Sequence, residues 1–90
     1  MTRWFRQWRL ARLRRDLAAT LERAVNYRRL ASLHQTMAAG TDPEVSHFTW
    51  SWNTDLANLQ AYEAAKAQRF VVTLNVKIKR LQRLENTACT

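Results

Sequence analysis

The sequence predicts an all-α fold, a long antiparallel helical hairpin that self-associates into a bundle, and three observations lead there. The 90 residues contain one glycine, Gly40, and one proline, Pro43, whereas an all-β fold needs a breaker every ~8–12 residues. Apolar residues make up 47% of the chain, too many for disorder even at a net charge of +8. Thr2 to Ala39 contains no breaker and is rich in Arg, Leu and Ala, all good helix formers.

The expected organisation is one domain over 1–90, with a helix over about 2–39, a turn at 40–43, a second helix over about 42–85 and a frayed tail at 86–90. The punctuation comes together at the middle. Gly40 suits a C-terminal cap, Thr41 or Asp42 an N-cap, and Pro43 the first turn of the next helix. Thr41-Asp42-Pro43-Glu44 has capping-box spacing.

Two patterns compete beyond the turn. Phe48, Trp50 and Trp52 alternate with polar residues, and so do Val72, Leu74, Val76 and Ile78, which leaves open an α+β alternative with short strands near 47–53 and 70–79. On a helical wheel at 100° per residue, Val45, Phe48, Trp52, Leu56, Leu59, Phe70, Leu74, Leu81 and Leu84 gather on one side. Two short strands have no reason to keep helical phase across forty positions, so a second long helix is favoured, with a fresh cap at Asn53, Thr54 or Asp55 as its one irregularity.

Both helices carry more apolar surface than one partner helix covers. In the first, Leu10, Leu13, Leu17, Leu21 and Ala24 form a stripe, Trp4, Trp8 and Ala11 lie roughly opposite, and the stripe swings to Leu30, Leu33 and Met37 after Tyr27. In the second, Trp50, Ala57, Ala61, Ala65, Val72 and Val76 make a face of mostly small residues. A lone hairpin buries one face per helix, so a homo-oligomer or a place in a larger complex is expected.

Charge is sorted into three blocks. Residues 1–30 carry nine arginines against Asp16 and Glu22, for +7; residues 31–65 hold only Asp42, Glu44, Asp55 and Glu63, for −4; residues 66–90 carry Lys66, Arg69, Lys77, Lys79, Arg80 and Arg83 against Glu85, for +5. A hairpin turning at Gly40 to Pro43 unites the basic blocks at one pole. The candidate contacts to nucleic-acid phosphates or an acidic protein surface are Arg3, Arg6, Arg9, Arg12, Arg14, Arg15, Lys77, Lys79, Arg80 and Arg83, because guanidinium donates in a planar fork to phosphate or carboxylate. Trp4, Trp8, Trp50 and Trp52 are the candidate apolar partner contacts, since Trp and Arg are enriched at the energetic centres of interfaces. Trp4 and Trp8 have a second reading, in which they fold onto the end of the second helix.

Other classes find less support. A membrane-surface helix needs its apolar residues on one side, but Arg12 and Arg15 fall within the Trp4/Trp8 sector. No apolar run approaches the ~18 residues of a membrane span. The lone cysteine, Cys89, cannot form an intrachain disulfide and agrees with a reducing, cytoplasmic setting. His34 and His47 flank the turn without a third ligand at metal spacing, and no nucleophile motif or Gly-rich phosphate loop is present. No catalysis, cofactor or metal is therefore expected. The function expected first is a small, basic, regulatory binding protein that engages nucleic acid, and the second is a helical adaptor, assembly factor or inhibitor.

Overall fold

The computed structural model describes residues 3–89 and consists of two helices, α1 (Arg3–Ala39) and α2 (His47–Cys89). They pack antiparallel along their length into a rod measuring 68 × 15 × 15 Å. The radius of gyration is 20.0 Å, against about 12 Å for a compact domain of this length, so the core is a line and not a ball. Thr2, expected to start the first helix, and Thr90, the end of the expected tail, lie outside the described residues. The backbone of 86–89 continues α2.

The line of contact has a strict seven-residue repeat. In α1 the buried or half-buried residues are Arg6, Leu10, Leu13, Leu17, Thr20, Ala24, Tyr27, Ala31, His34 and Ala38, spaced alternately by four and three. In α2 they include Trp50, Asn53, Ala57, Gln60, Ala64, Ala67, Val71, Leu74, Ile78 and Leu81, with the same alternation. This is a coiled-coil seam of period 3.5, its members occupying positions a and d of a heptad. Toward the chain ends the seam is aliphatic, where Leu13, Leu74 and Ile78 are buried together and flanked by Leu10, Leu17 and Leu81. Toward the turn it is lined by alanine every seventh residue, Ala24, Ala31 and Ala38 against Ala57 and Ala64, which lets the backbones approach closely.

The helical wheel therefore chose the wrong inward face for much of α2. Of its nine residues only Leu74 is buried, while Phe48, Trp52, Leu59, Phe70 and Leu84 are exposed. The cause is geometric: a 3.5-residue seam drifts ~20° per heptad from a straight wheel, and about five heptads carry it beyond 90°. The stripe meets the seam at Leu74 and Leu81 and has left it by Trp52. In α1 the same drift leaves Leu21, Leu30, Leu33 and Met37 exposed and buries Thr20, Ala31 and Ala38 instead.

No strand occurs among the described residues, and 47–53 and 70–79 are helical. The apparent alternation arose because exposed Val72 and Val76 are interleaved with the seam residues Val71, Leu74 and Ile78. Asn53, in place of capping a new start, is buried in the seam and donates from Nδ2 to the Thr49 carbonyl at 3.0 Å.

The turn is longer than the glycine and proline suggested. Gly40 does not adopt positive φ; its N–H still bonds the Thr36 carbonyl at 3.0 Å. The Thr41 hydroxyl, donating to the Met37 carbonyl at 2.8 Å, satisfies the end of α1 instead. Asp42 caps only a single turn, accepting from the Glu44 N–H at 2.9 Å, and α2 begins after Ser46, whose hydroxyl bonds Thr49 Oγ1 at 2.8 Å. The six residues from Gly40 to Val45 and the cap at Ser46 fit the ~2–8 residues usual between packed helices.

Candidate nucleic-acid interface

The basic pole is built by the seam. Because Leu13 packs with Leu74 and Ile78, the arginines that surround Leu13 in α1 run beside Lys77, Lys79, Arg80 and Arg83 of α2. The Arg6 guanidinium donates to the Leu84 carbonyl at 3.2 Å, joining the two segments near the open end of the hairpin. Arg3, Arg9, Arg12, Arg14 and Arg15 are exposed and Arg6 is half-buried; Lys77, Lys79, Arg80 and Arg83 are exposed. All ten sequence-predicted cations thus share one end of the rod.

Heptad position decides which way each one faces. Flanking the seam, positions g and c of both helices form one side of the rod, and positions e and b form the other; the Arg28 bond to Gln68 Oε1 at 2.7 Å is such an e-to-e contact. Arg9, Arg12, Lys77 and Arg80 fall on the g/c side, Arg14 and Lys79 on the e/b side, and Arg15 and Arg83 on the outer edges. The pole is a collar of charge. Such a collar suits a flexible or wrapping polyanion better than a flat one.

Aromatic rings share this end. Trp4 is 73% exposed and Trp8 49%, so neither folds down onto α2. Phe5 and Trp8 lie with centroids 6.0 Å apart, and the Arg12 guanidinium sits 5.7 Å from the Trp8 ring. A cation held over an indole face keeps both groups available at one spot. Trp8, Arg9, Arg12 and Asp16 also border a shallow hollow.

Trp50 and Trp52 are not part of this pole. They lie at the acidic end, where Trp50 is half-buried on the seam beside His47 and Trp52 is exposed and stacked over Phe48 at 6.2 Å. The two pairs of tryptophans are separated by most of the rod. His34 faces Gln60, with its Nδ1 2.7 Å from Gln60 Oε1 and 2.9 Å from the Leu30 carbonyl, a seam contact. Among the described residues no group of three His, Cys, Asp or Glu is arranged to hold a metal ion.

Mid-rod, on the g/c side, the structure adds a feature that the wheel missed. Thr20, Arg23, Tyr27, Glu63, Lys66 and Phe70 are among the residues that line an open groove of about 510 Å³. A heptad register would have put residues 23, 63, 66 and 70 on one edge. Among the described residues no helix is long and apolar enough to cross a membrane. Comparison of the chain with protein-family models, curated proteins and solved structures finds no match.

Proposed function

We propose that this chain is a non-enzymatic, cytoplasmic, regulatory binding protein whose open, basic end contacts nucleic-acid phosphates. The observation that carries the reading is the shared end itself: ten cations from two distant segments, eight of them arginine, converge around exposed Trp4 and Trp8. The first turn of α1 contains no acid to complement the helix dipole and carries Arg3 and Arg6 instead, an unfavourable pairing that a bound polyanion relieves. Stacking of exposed indoles on unpaired bases favours single-stranded targets.

Binding of this kind releases counterions. If ~6 phosphates are neutralised, affinity for a single-stranded oligonucleotide falls about three-hundredfold between about 50 and 200 mM salt. Fluorescence anisotropy over that range is the test; salt-insensitive binding, or none at low salt, overturns the proposal.

The Arg12–Trp8 contact favours a second reading, an adaptor, assembly factor or inhibitor that docks on an acidic protein, because Trp and Arg together are typical of interface centres. Its signature is loss of complex on Trp4→Ala and Trp8→Ala with little effect of charge reversal at Arg80. Nucleic acid that co-purifies and is released by salt supports the first reading, and a stoichiometric protein supports the second.

A further inference from the structure

We propose that a second copy of this chain docks antiparallel on the g/c side of the turn half, with Trp52 of each copy entering the mid-rod groove of the other. Three observations meet on this side of the rod. Leu33 (52% exposed) and Leu59 (57% exposed) lie on the same side near Leu30 and Met37, leaving bulky apolar side chains in water where the seam itself is closed by alanine. Monomers rarely leave contiguous apolar surface beyond a few hundred Å² uncovered.

The second observation is a knob and a matching hollow. Trp52 stands seven residues before Leu59 on the same heptad position, and Lys66, in the wall of the groove, stands seven residues after it. Each is ~10 Å from Leu59 along the helix, in opposite directions. A two-fold axis near Leu33 and Leu59 therefore carries each Trp52 onto the other copy's groove, between the rings of Tyr27 and Phe70, and makes the contact self-complementary. Lys66 and Arg23 supply cations to the indole faces.

Charge selects the antiparallel arrangement. The axis brings Asp42 and Glu44 of one turn toward Arg23 and Lys66 of the other copy, while the two basic poles project from opposite ends. A parallel pair would set the poles side by side, at a cost in like-charge repulsion. An axis at Leu33 and Leu59 lies about thirty residues, or ~45 Å, from the open end of each 68 Å rod, so the dimer is about 90 Å long at ~1.5 Å rise per residue. Self-association in this geometry does not depend on nucleic-acid binding.

Sedimentation equilibrium and small-angle X-ray scattering on the full chain, freed of nucleic acid by high salt, test the assembly. The expected result is twice the 10.6 kDa chain mass and a maximum dimension of about 90 Å, against 68 Å for one rod. Leu33→Glu and Trp52→Ala are each expected to weaken dimerisation at least tenfold, while Leu21→Glu, on the e/b side, leaves it unchanged; circular dichroism confirms that each variant is helical. A monomer at ~100 µM, a dimer no longer than one rod, or dissociation by Leu21→Glu but not by Leu33→Glu overturns the proposal.

Discussion

Leu74 is the side chain on which the aliphatic part of the rod closes, only 2% exposed and packed with Leu13 and Ile78. Leu74→Ala removes its buried methyl groups and leaves a cavity in a core one residue wide, so a loss of ~2–5 kcal/mol is expected in urea unfolding. Gly40 behaves in the opposite sense. Its φ is not positive, and a Cβ built there meets only the Thr36 and Met37 carbonyl oxygens at 3.5 and 3.8 Å, ordinary contact distances. Gly40→Ala should therefore raise stability by ~0.4–1 kcal/mol, chiefly by restricting the unfolded chain. Had Gly40 been the left-handed cap that its position suggests, the same substitution would destabilise, so a thermal melt of this variant reads the cap directly.

Between the helices, alanine does the work that leucine does in wider coiled coils. Ala24 is 2% exposed on the seam, so Ala24→Leu overpacks it and is expected to cost ~1–3 kcal/mol. Ala65→Leu, at an exposed position of α2, should change stability by no more than ~0.5 kcal/mol. Paired chemical denaturation curves of the two variants measure the contrast, and equal effects would contradict the seam. The helices themselves were legible from sequence because Leu, Ala and Arg runs without breakers leave few alternatives over thirty-seven residues. Their facing surfaces were not. A wheel of 3.6 residues per turn follows bulk, whereas close packing selects small side chains at a period of 3.5, and over α2 the two criteria diverge from Leu74 to Trp52.

At the scale of the molecule the polarised rod holds like charges together at one end. Self-repulsion there opposes folding, and a polyanion that binds the folded pole and not the dispersed unfolded chain offsets it. A short oligonucleotide at about a hundred times its dissociation constant should then stabilise the chain by ~2.7 kcal/mol, seen as a rise in melting temperature at constant ionic strength. Replacing Arg14 and Arg15 with glutamine is expected to reduce the slope of log affinity against log salt by about 1.4–1.8 if each arginine meets one phosphate. An unchanged slope would remove both residues from the interface. The pole was legible beforehand because it needs only the order of the charge blocks and a reversal near residue 40.

Charge order, the lack of breakers and the single cluster of Gly40 and Pro43 were enough to specify two helices, their antiparallel sense and a cationic end, since each depends on local chemistry or on position along the chain. Which residues face inward followed from two long helices coiling about one another. That coiling buries Ala24, Ala31 and Ala64, leaves Leu33, Trp52 and Leu59 outside, and opens the groove beside Lys66. Side-chain size along one helix carries no record of how closely the other will approach, and that approach is a property of the pair.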